Sequence, residues 1–400
     1  MLMNVVFFSN YLNHHQLPFC LAMDRLTGGQ FTFVATAPVK QSRLDLGYAD
    51  MNHAYPFVLC AYESAENEAK AMALALDAEV IITGSAPEKY TAERAKRGGL
   101  TFRYSERLYK DGRPFKRWLH DFASAWLHHG RLQKYPVYML CASAYTAGDC
   151  ARFGNYRGKT YKWGYFPELR QEKPDELSAR HQGSGKIRMV WAGRLLDWKH
   201  PEMAVRLAET LRDRGYAFSL EIIGSGALYE PLEQMIAEAR LSDCVQLLRA
   251  MPPENVRAHM EEADIFLFTS DFHEGWGAVL NEAMNSGCAV VASHAIGSVG
   301  FLVENGVNGL IFRSGDQDHL NAQVIRLMED AALRRQMGRA AYATLEKTWN
   351  AEVAAERLLQ LTEHLLRGGT GSPFAEGPCS PAEAMTNQTA EKRLLSDHTR

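Results

Sequence analysis

Short apolar runs rich in β-branched and aromatic residues alternate with longer amphipathic segments along most of the chain, and this alternation constrains the fold more than any other feature. Strands apolar on both faces must be covered on both, so the pattern calls for parallel sheets flanked by helices. In the first half, strands are expected near 3–9, 31–36, 57–60, 79–83 and 137–142, with an alanine-rich helix over Ala65–Leu76. The second half is more regular. Strands fit at 186–192, 218–223, 244–248, 264–269, 288–292 and 309–312, and helices near 200–213, 228–240, 253–262, 277–286, 299–304 and 316–329. Helical segments near 331–345 and 349–366 close the series.

A chain of 400 residues with 46% apolar content exceeds one hydrophobic core and supplies material for two. Residues 167–185 contain Pro174, several charges and Gly183-Ser184-Gly185, and read as the linker. The expected organisation is α/β: a Rossmann-like domain over 1–166, a second over 186–348, and an interdomain cleft between them. A closing helix over 349–366 then packs back on the first domain. Residues 367–400 open with Gly368-Gly369-Thr370-Gly371-Ser372-Pro373 and read as a flexible tail.

The seven cysteines are odd in number, widely spaced and form no CxxC pair, which favours reduced core thiols in a cytoplasmic protein over zinc ligands or a redox centre. The opening Met1–Phe8 lacks a basic leader and a cleavage site and reads as a first strand. No stretch approaches the roughly 18 apolar residues of a bilayer span, so any membrane contact is peripheral, at the inner face. Charge is uneven: residues 1–180 carry 23 Lys and Arg against 18 Asp and Glu, residues 181–400 carry 21 against 29. Between Lys89 and Arg117, ten basic residues face only Glu93, Glu106 and Asp111. A solvated helix face explains such a run as well as an anionic acceptor or a lipid surface does; nucleic acid is the weakest reading, because no binding motif accompanies it.

Ligands of open α/β sheets sit beyond the carboxyl ends of the strands, so the residues after each strand carry the argument. After 186–192 come Gly193-Arg194 and, before the next helix, Lys199. Two cations at a strand-to-helix turn suit a diphosphate, Arg194 through a forked contact and Lys199 as a point charge, although surface charges give the same pattern. The next strand ends in Gly224-Ser225-Gly226, either a tight turn or a close backbone approach to a nucleotide. The strongest signal follows 264–269: Glu274-Gly275-Trp276-Gly277, then Glu282-Ala283-Met284 and Gly287. A carboxylate accepts from both members of a vicinal hydroxyl pair. Glu282 suits ribose and Glu274 the transferred sugar, with the small residues between them exposing N–H groups. Both could be solvated surface residues, but Glu282 sits among Ala278, Val279, Ala283 and Met284, where an uncompensated charge is costly.

This ordered series, with Glu304-Asn305-Gly306-Val307-Asn308-Gly309-Leu310 after it, resembles the retaining GT-B glycosyltransferases grouped as family 4, the group 1 glycosyl transferases, over roughly residues 186–330. The resemblance implies a GT-B fold and transfer of a sugar, typically a hexose, from a UDP-, GDP- or ADP-sugar to a glycan or lipid-linked acceptor, with retention and with no metal or other cofactor. It implies that Arg194, Lys199 and Glu274 are catalytic, the cations holding the donor diphosphate and Glu274 the donor sugar. Gly193, Gly224, Gly226, Gly275, Trp276, Gly277 and Glu282 would bind the donor, Glu282 through ribose. Two departures stand out. The usual glycine-rich first loop is replaced by Asn10-Tyr11-Leu12-Asn13-His14-His15-Gln16, and the loop after Ser293 lacks the frequent acidic residue.

In the first domain, Asn13, His14 and His120 are available to touch acceptor or phosphate; packed or surface histidines are the competing reading. The aromatic stretch Tyr161–Phe166 favours core packing over sugar stacking. Two other classes share the donor pocket: a nucleotide-sugar epimerase or hydrolase of the same fold, and a noncatalytic sugar-nucleotide-binding subunit. Oligomeric state has no sequence signal.

Overall fold

Two wholly parallel sheets organise the chain, seen in a computed structural model that describes residues 3–41, 49–110, 118–171 and 185–395. One unit comprises Met1–Glu168 with Trp349–Met385, the other Leu169–Thr348 with Thr386–Arg400. Most of the expected linker, residues 172–184, and the end of the basic run, residues 111–117, lie outside the described residues.

The first unit has the sheet order β3-β2-β1-β4-β5-β6-β7. Its strands are β1 Val5–Ser9, β2 Phe31–Ala35, β3 Val58–Cys60, β4 Val80–Thr83, β5 Thr101–Ser105, β6 Val137–Cys141 and β7 Thr160–Lys162. Its helices are α1 Leu17–Leu26, α2 Ala65–Asp77, α3 Glu88–Lys96, α4 Trp118–His128 and α5 Thr146–Ala151. Each residue of β1 is buried, as a central strand covered on both faces requires. Ser64 caps α2 by accepting from Asn67 N at 3.0 Å.

β5 and β7 are absent from the sequence reading. β5 carries Arg103, whose charge is met by Glu88 of α3 at 3.0 Å, so a cation interrupts the apolar run without interrupting the ladder. β7 has three residues and only Tyr161 buried. The aromatic stretch after it packs inward: Trp163 meets Phe19 edge-on at 5.3 Å and Phe166 at 5.0 Å.

The second unit has the order β10-β9-β8-β11-β12-β13, with β8 Ile187–Ala192, β9 Phe218–Ile223, β10 Val245–Leu248, β11 Ile265–Phe268, β12 Ala289–Ser293 and β13 Leu310–Phe312. Between and after them lie α6 Glu202–Asp213, α7 Tyr229–Glu238, α8 Pro253–Glu262, α9 Val279–Asn285, α10 Val299–Leu302, α11 Gln317–Glu329 and α12 Ala331–Lys347. One core joins Met189 and Trp191 of β8, Leu220 and Ile222 of β9, Leu267 of β11 and Val291 of β12 to Leu207 and Leu211 of α6. The chain runs outward from β8 to β10 and returns to β11 beside β8. That reversal is a topological switch point, where an open α/β sheet leaves a crevice at its strand ends.

After α12 the chain rejoins the first unit as α13, Ala351–Leu366, capped by Asn350, whose Oδ1 accepts from Val353 N at 3.0 Å. α13 packs along α1. The segment read as a flexible tail is instead built into the structure. Lys162 N donates to Ser380 O at 2.7 Å, Cys379 N to Lys162 O at 2.8 Å and Ala382 N to Thr160 O at 2.9 Å, so the segment runs antiparallel along β7. Cys379 and Ser380 are fully buried. Glycine, serine and proline signal disorder by composition, but an edge strand offers unpaired N–H and C=O groups that such a segment satisfies. Asn387–Leu394 then forms α14, tied to the second unit by Glu391 and Arg313 at 2.6 Å.

Candidate functional site

The loops leaving β8 and β11 are stitched to one another at the switch point. Asp271 N donates to Trp198 O at 3.0 Å, and Thr269 Oγ1 donates to Lys199 O at 2.7 Å while accepting from Trp191 Nε1 at 2.8 Å. This backbone lacing sets Lys199, at the end of a 3-10 turn over Asp197–Lys199, against Glu274.

Lys199 Nζ lies 2.5 Å from Glu274 Oε2, which also accepts from Ser270 Oγ at 3.0 Å. Both ionised side chains are about one-tenth exposed. The cation read as a diphosphate ligand and the carboxylate read as a sugar ligand thus form one ion pair, which removes most of the penalty of burying either. Arg194 is exposed and forms no ion pair among the described residues. Its guanidinium sits 5.9 Å from the Trp198 ring and Lys199 Nζ sits 4.7 Å from the same ring, so one indole flanks both cations.

The glycines sort into two roles. A Cβ on Gly224 would fall 1.9 Å from Gly193 O, and one on Gly226, with φ of 156°, would fall 2.3 Å from Leu195 O. Leu195 N donates to Ser225 O at 3.0 Å across the same gap. Gly224 and Gly226 therefore let the β9 loop lie directly on the β8 loop. A Cβ on Gly193 would meet side chains and not backbone: Lys199 Cδ at 3.3 Å, the Trp191 ring at 3.4 Å and Lys199 Nζ at 3.7 Å. Gly277 has φ of 81° and a Cβ there would strike Phe268. Gly275 is buried beside Glu274. Trp276 is fully buried and its Nε1 donates to Asn281 Oδ1 at 2.8 Å. Its indole is therefore a core anchor for the turn, and the expected donor contact of Gly275–Gly277 is one of the backbone.

Glu282 sits near the start of α9. Arg257 of α8 donates to Ser286 Oγ at 2.9 Å and to Asn285 Oδ1, which ties the end of α9 to α8. Burial pushes the Glu282 carboxyl up to about 7, against the opposing pull of Arg257 and Arg170. Among the described residues no protein donor hydrogen-bonds that carboxylate. A carboxyl group withheld from protein partners and half-protonated near neutrality is poised to accept from a ligand hydroxyl.

Asp271 is held below the ordinary carboxylate range: burial would raise it, but hydrogen bonds from His200 and His273 prevail. His200 lies 3.4 Å from Asp271 and 3.1 Å from Glu202, and these contacts raise its imidazole to about 9. Trp198, Ser270, Asp271, His200 and Arg257 escape a motif reading. The one local signal is an aromatic flanked by cations in Arg194…Trp198-Lys199. The Glu304–Leu310 loop is structural: Asn308 Oδ1 accepts from Glu304 N at 2.7 Å, and its amide donates to Leu302 O and Thr344 Oγ1, both at 2.9 Å.

Asn13, His14 and His120 belong to the other unit. Asn13 Oδ1 accepts from His15 N and Gln16 N at 3.1 and 3.2 Å, ordering the turn into α1. His14 lies against His15 with ring centroids 3.7 Å apart and the ring planes tilted by 47°. His120 is exposed on α4, 3.5 Å from Asp121.

Residues 174–344 match the family model described as glycosyl transferases group 1. The amylovoran biosynthesis glycosyltransferase AmsK of Erwinia amylovora is 33% identical over 184 residues, 45% of this chain and 45% of that protein. The GDP-mannose-dependent alpha-(1-6)-phosphatidylinositol monomannoside mannosyltransferase of Mycolicibacterium smegmatis is 28% identical over 43% of this chain and 47% of its own. The matched region spans about half the length of these curated relatives. Among solved structures, Anabaena Alr3699/HepE in complex with UDP superposes with a TM-score of 0.68 at 17% identity, covering 91% of this chain and 100% of that one. The architecture is that of the GT-B glycosyltransferases. Among the described residues no helix is long and apolar enough to cross a membrane.

Proposed function

We propose that this protein is a retaining glycosyltransferase, a hexosyltransferase by preference, whose second unit binds a nucleotide-diphosphate sugar at the ends of β8 and β11. The observation that carries the proposal is the Lys199–Glu274 pair at the switch point, beside the exposed Arg194. As the bond from anomeric carbon to phosphate breaks, negative charge grows on the leaving diphosphate. Arg194, Lys199 and the N–H groups of the Gly275–Gly277 turn stabilise that charge more in the transition state than in the bound donor. Glu274, anchored by Lys199 and Ser270, accepts from the sugar hydroxyls. Glu282 accepts from the ribose.

Attack proceeds on the face from which the diphosphate departs, and a leaving phosphate oxygen takes the proton of the acceptor hydroxyl. Glu274 is committed to its cation, which favours this route over a covalent glycosyl-enzyme. Protein cations do the work of a metal, and no other cofactor enters. The relative's GDP-mannose and the neighbour's UDP support a nucleoside-diphosphate donor, with UDP-, GDP- and ADP-sugars as the class to test. The relatives named for polysaccharide and phosphatidylinositol chemistry support a glycan or lipid-linked acceptor.

The test is a screen of these donors read by nucleotide release and by mass analysis of the product. Lys199→Ala is expected to cut turnover by about 100-fold, the scale of losing one stabilising charge contact, while Glu282→Ala raises the donor Kd. A free altered nucleotide-sugar with no transfer would mark an epimerase, and donor binding without turnover a noncatalytic subunit. Wild-type turnover and affinity in both variants would overturn the site.

A further inference from the structure

Six large apolar side chains are exposed among the described residues, and three of them, Phe122, Trp126 and Leu127, stand on α4. Trp126 is 59% exposed. Phe122 and Trp126 are one turn apart and share a helix face, and Leu127 widens the exposed apolar surface by about 100° around the helix. The buried side of the helix holds Asp121 and Ala125. The only other exposed side chains from residue 120 onward are His120, Ala123 and His128, so this solvent face carries no Lys, Arg, Asp or Glu. A helix that merely faces water is patterned the other way.

The charge near the face is mostly basic, and the nearby carboxylate Glu88 is paired with Arg103, which donates to His128 O. Residues 118–162 contain six basic residues and two acidic ones, Asp121 and Asp149, and both acids are buried. Arg131, Lys134, Arg152 and Arg157 are exposed. A groove of about 550 Å³ runs beside the helix, lined by Phe122, Trp126, Phe153, Arg131 and Lys134. An indole and a phenyl ring, an uncharged helix face, and cations with no exposed carboxylate among them are the combination that seats in a headgroup layer. A protein partner would call for mixed charges at the rim, whereas the carboxylate beside this surface, Glu88, is already paired with Arg103.

We infer that the exposed face of α4, with Arg131 and Lys134 beside it, docks the protein on a membrane surface bearing anionic lipid. Phe122, Trp126 and Leu127 enter the boundary between headgroups and acyl chains, and the cations engage phosphate. The inference goes beyond the donor chemistry and stands on separate residues.

The test uses the full chain and vesicle flotation without donor, so its outcome is independent of whether the sugar-transfer reading holds. Vesicles of phosphatidylcholine with phosphatidylglycerol are expected to carry the protein at low salt, and phosphatidylcholine alone to carry far less. Trp126→Ser with Leu127→Ser, and separately Arg131→Gln with Lys134→Gln, should each weaken the partition coefficient by tenfold or more. Circular dichroism and nucleotide release with a water-soluble acceptor should stay as in the wild type. Equal binding to both vesicle types, or unchanged flotation of both variants, would overturn the inference. So would a dimer in analytical ultracentrifugation that Trp126→Ser dissolves while the wild type ignores vesicles, since the face would then join two copies.

Discussion

Glu282 shows how a single side chain reports on its own assignment. Its carboxyl is raised to about 7 by burial, so the folded protein holds a proton there that the unfolded chain releases near the ordinary value of about 4.3. A group raised on folding contributes stability below its unfolded value and loses that contribution as pH climbs through the folded one. Glu282 therefore favours the fold at acid pH and opposes it above about 7, with a slope of at most about 1.4 kcal/mol per pH unit between the two values. Glu282→Gln keeps the shape and removes the titration. Its Tm relative to the wild type should rise from pH 5 to pH 8, measured by differential scanning fluorimetry. Nucleotide affinity runs the opposite way, because the ionised carboxylate is the better acceptor for two hydroxyls. Wild-type affinity should strengthen through neutrality, and the variant should bind weakly with no such step. A step that persists in Glu282→Gln would remove this carboxylate from the ribose.

Loops gain their shape from contacts between elements, and glycine marks where those contacts are backbone on backbone. Gly224→Ala would drive a Cβ into Gly193 O, and neither carbonyl nor strand end has room to yield. The β9 loop must lift from the β8 loop, at a cost of about 1–3 kcal/mol for an overpacked site. Thermal unfolding should show that loss, and donor affinity should fall with it because Arg194 and Lys199 ride on the β8 loop, which loses the support of the β9 loop. A variant as stable as the wild type with intact affinity would mean that the two loops are not held in register. This element scale also sets what the sequence discloses. β8, β9, β11 and β12 are legible because central parallel strands are apolar on both faces, as the five buried residues of Ala289–Ser293 illustrate. β5 hides behind Arg103, whose charge finds Glu88 from another element. The site divides in the same way. Its loops are predictable from the rule that ligands sit at strand ends, but Lys199 and Glu274 are 75 residues apart and only the sheet order brings them into contact. The burial of Trp276 is likewise hidden in the sequence, because only the fold provides the pocket that holds its indole and the Asn281 that accepts from it.

At the scale of the whole chain, the C-terminal segment is structural in each unit. Residues 377–382 satisfy the outer edge of β7 in the first unit, and α14 meets Arg313 in the second. Truncation after Leu366 removes both. The first unit then presents a short unpaired edge with the Tyr161 side newly uncovered, the arrangement that invites edge-to-edge pairing between copies. Hydrogen exchange should reveal it before any loss of fold: the Lys162 amide, which donates to Ser380 O, should lose its protection, while Phe7 in the central β1 keeps its own. The loops after β8 and β11 draw their lacing from within the second unit, so nucleotide affinity of the soluble fraction should stay within a few-fold of the full chain if they hold the donor as proposed. Concentration-dependent light scattering should rise in the truncated protein and be absent from the full one. If Lys162 exchanges at the same slow rate in both, the edge is closed without the tail, and the hydrogen bonds to residues 379–382 contribute nothing to the order of the first sheet.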